Sequence, residues 1–356
     1  MVIGGISMKN IKIGGFQVGR SQRPLVIAEA GINHNGNIDI AKEMIKTAKS
    51  AGADIIKFQT HIADAEMIQD KELSGKAGSH VTRSLYAIMK ECGFSFESHK
   101  ILQAEAEKAG ILFLSTPFSI EAVELLEKIH VPAYKVGSGE VTNIPFLKYL
   151  AKKKKPVILS TGTADWKELF HSVEAIKKEG AELILMQCTS NYPTDYANVN
   201  LGVMTKMEKE FDVPVGLSDH CMGNYACFGA AALGACMVEK HFTLSRKLPG
   251  IDQKSSIEPD KLKDLIDGVR AVWEAMGDKK ELNEEAKKVR YGFSESIVSV
   301  RSISAGEILK EHVNIWVKRP GSGIPSYRLP EVSGKKAKRN IPENTVLVPE
   351  DIADFK

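Results

Sequence analysis

Residues 25–36 read L-V-I-A-E-A-G-I-N-H-N-G, an apolar strand-like run interrupted by Glu29 and followed at once by a polar turn. That turn decides between two parallel-sheet folds. An open sheet built to hold a dinucleotide carries G-x-G-x-x-G after its first strand, whereas Ala30 is followed here by Gly-Ile-Asn-His-Asn-Gly. Outward from this stretch one unit recurs, a short run rich in Val, Ile and Leu and then a helix-period segment. The runs are Leu25–Ala30, Asp54–Gln59, Ile111–Thr116, Ala133–Gly137, Pro156–Thr161, Leu183–Cys188, Pro214–Ser218 and Met237–His241. Helical segments such as Ile38–Ser50, Ile120–Ile129, Trp166–Lys178 and Pro259–Met276 follow them. Continuous apolar strands are buried on both faces, and a count of eight favours closing the sheet into a (β/α)₈ TIM barrel of the α/β class.

The barrel is expected over residues 1–277, with a charged linker or exposed helix over 278–292 (D-K-K-E-L-N-E-E-A-K-K-V-R at 278–290). Residues 293–356 form a small, mostly β domain on this reading, with strand-like pieces at Ser296–Val300, Asn314–Val317 and Thr345–Val348 between Gly- and Pro-rich turns.

The chain has 356 residues, 43% of them hydrophobic, enough for a large core plus a small second one. Lys and Arg total 48 against 45 Asp and Glu, a balance that offers no global attraction to nucleic acid or to a membrane surface. The five cysteines, Cys92, Cys188, Cys221, Cys227 and Cys236, are odd in number and lack C-x-x-C spacing, which argues against a disulfide framework and a structural zinc site and fits a reducing cytoplasm. Met1–Asn10 shows no targeting pattern, and the most apolar run, Ala226–Val238, is too short to cross a bilayer.

In a parallel barrel, chemistry collects at the carboxyl ends of strands. Every one of the eight runs ends in polar residues: Glu29, Asn33 and His34; Lys57, Gln59 and His61; Ser115 and Thr116; Lys135, Ser138 and Glu140; Ser160 and Thr161; Gln187, Thr189 and Tyr192; Ser218, Asp219 and His220; Glu239, Lys240 and His241. Any single Ser or Thr is a satisfied strand terminus, but eight such ends in succession suggest a ring of ligands. His220 and His241 end adjacent strands and can share one cation through imidazole nitrogens, the alternative being an ordinary hydrogen-bonded cluster. Lys57 and Lys135 lie in apolar strands, where an unpaired ammonium is costly, so each faces a bound phosphate or carboxylate, or else an internal carboxylate such as Glu29 or Glu140.

At these residues the sequence resembles the sialic acid synthases, which join phosphoenolpyruvate to N-acetylated amino sugars. The marks of the resemblance are I-A-E-A-G-I-N-H-N-G (27–36), K-F-Q-T-H (57–61), L-S-T-P-F (114–118), Y-K-V-G-S-G-E (134–140), G-L-S-D-H (216–220), E-K-H-F-T (239–243) and K-R-P-G-S-G-I (318–324), in order along nearly the whole chain. It implies a barrel followed by an antifreeze-like (SAF) domain that reaches the active site of the partner in a domain-swapped homodimer, bringing Arg319. It further implies that His220 and His241 hold a divalent ion, manganese first, with magnesium or cobalt as alternatives. By the same resemblance Lys57, Lys135, Ser138, Ser160 and Ser218 surround phosphoenolpyruvate, while Glu29, Gln59, Tyr192 and Asp252 lie around the sugar or the reacting carbonyl. Glu140 is the first candidate for the carboxylate that stabilises the cationic centre at carbon 2. The resemblance implies an N-acetylneuraminate synthase acting on N-acetylmannosamine, with an N,N'-diacetyllegionaminate synthase acting on 2,4-diacetamido-2,4,6-trideoxymannose as the alternative. A sugar-contacting asparagine of neuraminate synthases aligns with Ser190, beside Asn191, whereas A-G-I-N-H and V-G-S-G-E are closer to neuraminate and legionaminate synthases than to pseudaminate synthases. A rival of another class is a Schiff-base pyruvate aldolase using Lys135 or Lys57.

Overall fold

The computed structural model describes residues 10–69 and 83–355, which divide into two compact units between Gly277 and Asp278. The N-terminal stretch read for targeting signals lies, except for Asn10, outside the described residues.

The first described elements form a hairpin that the strand count did not anticipate, β1 (Ile11–Ile13) paired antiparallel with β2 (Phe16–Val18). Eight strands follow: β3 (Leu25–Gly31), β4 (Ile55–Thr60), β5 (Leu112–Pro117), β6 (Tyr134–Val136), β7 (Val157–Ser160), β8 (Leu183–Cys188), β9 (Val215–Asp219) and β10 (Met237–His241). They run in the order β5-β4-β3-β10-β9-β8-β7-β6, and β5 lies against β6, which closes the sheet into a TIM barrel. Helices cover its outside. Several start where a side chain can take up free backbone N–H groups: Asn37 caps Ile38–Ala51, Ser119 caps Ile120–Lys128, and Asp165 with Glu168 forms a capping box on Trp166–Lys178.

Strand parity sorts the side chains. Val26, Ala28, Ile56, Leu159, Leu185, Leu217 and Val238 point outward into the core shared with the helices. Leu25, Ile27, Ile55, Leu114, Ile158, Ile184 and Met237 point into the barrel, where Ile11, Ile13 and Val18 of the hairpin join them in a separate apolar cluster at the amino ends of the strands. The hairpin therefore plugs one end of the barrel. Its turn passes so close to β5 that a Cβ on Gly14, which has φ +56°, would stand 2.9 Å from a Leu112 methyl.

The second unit packs Ile297, Ile303, Leu309, Ile315, Val332, Ile341, Leu347 and Ile352 into a core of its own. Two strands are regular, β11 (Ser296–Ser299) and β12 (Ile315–Lys318), paired antiparallel. The expected strand Thr345–Val348 is instead an isolated bridge, Val298 with Val346, flanked by hydrogen bonds from Ser299 N to the Thr345 carbonyl at 2.9 Å and from Leu347 N to the Ile297 carbonyl at 2.8 Å. The expected linker 278–292 contains most of a helix, Glu284–Phe293, capped by Asn283. Among the described residues no helix is long and apolar enough to cross a membrane.

Candidate active site

Continuing the inward parity toward the carboxyl ends takes each strand from apolar to polar. Ile27 is followed by Glu29, Ile55 by Lys57 and Gln59, Leu114 by Thr116, Ala133 by Lys135, Ile158 by Ser160, and Met237 by Glu239 and His241. These polar side chains meet in the barrel above the apolar plug. Lys57 Nζ lies 2.6 Å from Glu29 Oε2, 3.7 Å from Glu239 Oε2 and 3.1 Å from Thr116 Oγ1. Lys135 Nζ lies 3.6 Å from Glu239 Oε1 and donates to Ser160 Oγ at 2.6 Å, and Ser218 Oγ donates to Glu239 Oε1 at 3.2 Å. Gln59 donates from Nε2 to Glu29 Oε1 at 3.0 Å. Two lysines and two glutamates thus sit together in a volume nearly closed to solvent, each no more than 5% exposed.

The charges are unequal in their balance. Burial acts against the Glu239 carboxylate, but Lys135 and Lys57 outweigh it and hold its pKa below the ordinary carboxylate range. Glu29 goes the other way, since burial raises its pKa further than Lys57 lowers it. Burial acts against the Lys57 ammonium too, yet Glu239 and Glu29 bring its pKa above normal, while Lys135, with one carboxylate close by, is lowered by burial. An arriving dianion would relieve Lys135 of that cost, as a phosphate site requires.

Beside this cluster stand the two histidines. Their ring centroids are 5.4 Å apart, and the Tyr192 ring lies 4.0 Å from that of His220 and 5.7 Å, edge-on, from that of His241. His220 Nδ1 donates to the Thr189 carbonyl at 2.9 Å; burial acts against a charged ring, but Cys188 and that carbonyl outweigh it and raise the His220 pKa above the ordinary value. His241 Nδ1 is buried without a hydrogen-bond partner, 3.8 Å from Asp252 Oδ2, and burial lowers the His241 pKa to about 4, which keeps the ring neutral. A neutral imidazole with a free lone pair, as His241 presents, suits a divalent cation. No group of three or more His, Cys, Asp or Glu side chains placed to hold a metal occurs among the described residues. A cleft of about 1010 Å³ lined by Ser190, Asn191, Tyr192, Met222, Arg246, Asp252 and Lys254 opens next to the histidines.

Not every expected residue joins the cluster. Glu140, the carboxylate singled out in the sequence, sits half-exposed on a short 3₁₀ turn and accepts from Asn143 Nδ2 at 2.7 Å; the carboxylate between the lysines is Glu239. The signal for Glu239 was available, since it shares inward parity with His241 on β10. Ser138 accepts from Gly162 N at 3.0 Å at the mouth of the barrel. Ser115, Asp219 and Lys240 have outward parity and are structural: Ser115 bonds Thr60, and Lys240 pairs with Asp219 while donating to the Cys221 and Gly223 carbonyls at 2.6 and 2.8 Å. Arg319 belongs to the second unit, where its guanidinium lies 5.5 Å over the Phe293 ring. All five cysteines are free and buried.

Residues 44–281 match the model of the NeuB family, and residues 294–353 match that of the SAF domain. The chain belongs to the NeuB family. As a NeuB-family protein it is an enzyme of the sialic acid synthase type, a phosphoenolpyruvate-dependent former of carbon–carbon bonds. It is 39% identical over 334 residues to an N,N'-diacetyllegionaminic acid synthase of Campylobacter jejuni, with 92% of this chain and 99% of that one covered. To a pseudaminic acid synthase of the same species it is 38% identical over 335 residues, covering 93% and 96%. A solved N-acetylneuraminic acid synthetase of Leptospira borgpetersenii superposes with a TM-score of 0.72 at 31% identity, covering 79% of this chain and 95% of that one. NeuB-family membership defines the reaction class. Relatives with different sugar products stand at nearly equal identity, so it does not define the acceptor.

Proposed function

We propose that this NeuB-family enzyme condenses phosphoenolpyruvate with N-acetylmannosamine and water to give N-acetylneuraminate and phosphate. The observation that carries the reading is the buried set Lys57, Lys135, Glu29 and Glu239, with Ser160 and Ser218, beside His220 and the neutral His241. Lys57 and Lys135 offset the charge of the donor's phosphate and carboxylate, and Ser138, Ser160 and Ser218 supply hydroxyls to the same anions. Carbon 3 of phosphoenolpyruvate attacks the aldehyde carbon of the open-chain sugar. The cation left at carbon 2 lies against Glu239 and Glu29, which take the place first given to Glu140. One of these carboxylates accepts a proton of the water that adds to carbon 2, and the sugar's new alkoxide takes up a proton; the carbon–oxygen bond to phosphate then breaks as the carbon 2 hydroxyl loses its proton, leaving the ketone and phosphate. The proposed cofactor is a divalent ion, manganese first, on His220 and His241; when bound it supplies Lewis-acid polarisation of the acceptor carbonyl. Gln59, Tyr192 and Asp252 orient the sugar, and Arg319 is offered to it from the second unit of a partner in a domain-swapped dimer acting in the cytoplasm.

A second acceptor, 2,4-diacetamido-2,4,6-trideoxymannose, draws support from the 39% identical relative named for N,N'-diacetyllegionaminic acid. Phosphate release measured with manganese and each sugar separates the two: faster turnover of N-acetylmannosamine supports the neuraminate reading, and preference for the diacetamido sugar replaces it. Lys135, whose pKa burial lowers, is the group a Schiff-base aldolase would use. Trapping of a pyruvate adduct by borohydride would overturn the condensation mechanism.

A further inference from the structure

A chain of hydrogen bonds runs from the reacting region to a carboxylate that the proposed mechanism does not use. Glu29 Oε1 accepts from Gln59 Nε2 at 3.0 Å; Gln59 Oε1 lies 3.0 Å from His61 Nε2; and His61 Nδ1 lies 2.8 Å from Glu66 Oε1. Its polarity can be read from one end. Glu29 faces the Lys57 ammonium at 2.6 Å through its other oxygen, so as a carboxylate it only accepts, which turns the Gln59 amide N–H toward it and the amide oxygen toward His61. His61 Nε2 must then carry a hydrogen. Nδ1 lies 2.8 Å from Glu66 Oε1, so the ring is held at both of its nitrogens.

The pair is rigidly held. The His61 ring stacks on Phe118 with centroids 4.4 Å apart and planes 13° from parallel, and the side chains of His61 and Glu66 are each 4% exposed. Glu66 ends a short helix, Ala63–Glu66, that directly follows β4, so the strand bearing Lys57 and Gln59 also delivers the group that orients Gln59. Gly31 completes the enclosure: it has φ +52°, and a Cβ there would lie 3.4 Å from both the Gln59 amide nitrogen and Glu29 Oε1.

We propose that His61 and Glu66 are positioning residues that clamp the Gln59 amide in one orientation and so hold Glu29 in place for the reaction. The proposal rests on the condensing activity proposed above. Without the clamp the amide is free to rotate, and Glu29 keeps Lys57 alone.

The test uses the full-length enzyme and phosphate release from phosphoenolpyruvate with each sugar. His61→Phe keeps the stack on Phe118 and loses both bonds; kcat should fall by roughly tenfold or more while the KM for phosphoenolpyruvate stays within about twofold. His61→Gln places an amide N–H where Nε2 stood and should stay within about threefold of wild type, whereas His61→Asn reaches only toward Glu66 and should behave like Phe. Equal activity in all three variants, or activity that follows the thermal midpoint, would overturn the clamp. A readout independent of turnover is the downfield, exchange-protected imidazole proton of His61 in NMR spectra of ¹⁵N-histidine-labelled protein, expected in wild type and lost in Glu66→Leu. Absence of that signal from wild type overturns the clamp by itself; its presence in an enzyme that turns over neither sugar sinks the functional reading and upholds the clamp.

Discussion

Lys57 and Glu29 are register partners on β4 and β3, Nζ 2.6 Å from Oε2, with both side chains at most 3% exposed. Removing one member of such a pair strands a buried charge. Lys57→Met should lower the free energy of unfolding by about 3–5 kcal/mol and reduce turnover by about a hundredfold or more. Urea unfolding and phosphate release measure the two. A variant as stable as wild type would show that Lys135 alone suffices for both glutamates.

His220 is held by the Thr189 carbonyl with its other nitrogen free. His220→Ala should lose bound manganese and activity together, as read by metal analysis after dialysis and by turnover. Full metal-dependent turnover in the variant would remove His220 from the proposed ion site.

Ile13 is fully buried in the hairpin plug, among side chains from the barrel interior. Ile13→Ala should cost about 2–5 kcal/mol of stability by chemical denaturation. Turnover below the melting range should be nearly unchanged, since the plug sits at the opposite strand ends from the lysines.

His34 is buried against Phe94, ring centroids 4.1 Å apart, and burial, with smaller contributions from His99 and His61, lowers its pKa from 6.5 to about 3. Above the unfolded pKa the ring is neutral in both states and contributes no pH dependence. As pH falls below 6.5 the unfolded chain takes up a proton that the folded chain refuses until about 3, so stability drops across that window. The slope from this one group approaches about 1.4 kcal/mol per pH unit. Comparing denaturation of wild type and His34→Phe between about pH 7 and about pH 5 should show a shallower decline in the variant. Parallel declines would mean that His34 is protonated within the fold.

Arg319 is proposed to reach the sugar from the second unit of a partner. Arg319→Ala should raise the KM for the acceptor by roughly tenfold and leave that for phosphoenolpyruvate within about twofold. Mixing Arg319→Ala with His220→Ala should restore part of the activity if the arginine acts between subunits; no recovery would confine it to its own chain.

Strand and helix positions were legible because period 2 and period 3.6 are local properties of the sequence. Leu183–Cys188, Met237–His241 and Trp166–Lys178 occupy the residues their patterns predicted. The hairpin Ile11–Val18 escaped because its strands have three residues each, too few for a period to register, and because what it packs on comes from strands spread across the whole barrel. Thr345–Val348 looked like a strand and makes one bridge to β11, since propensity marks residues that tolerate extension and does not set how many of them enter a ladder.

By itself the sequence determined that eight apolar runs carry polar ends, and through alternation it determined which side chains share a face: Glu29, Lys57, Lys135, Ser160, Glu239 and His241 are all inward by count. Only the tertiary structure decided who meets whom. Glu140 and Glu239 are both glutamates at strand ends, yet one points to Asn143 near solvent and the other stands between Lys57 and Lys135. The physical reason is closure. An ion pair needs its atoms within a few ångströms, and which of eight strands come that close depends on stagger and curvature around the barrel, which no single strand encodes.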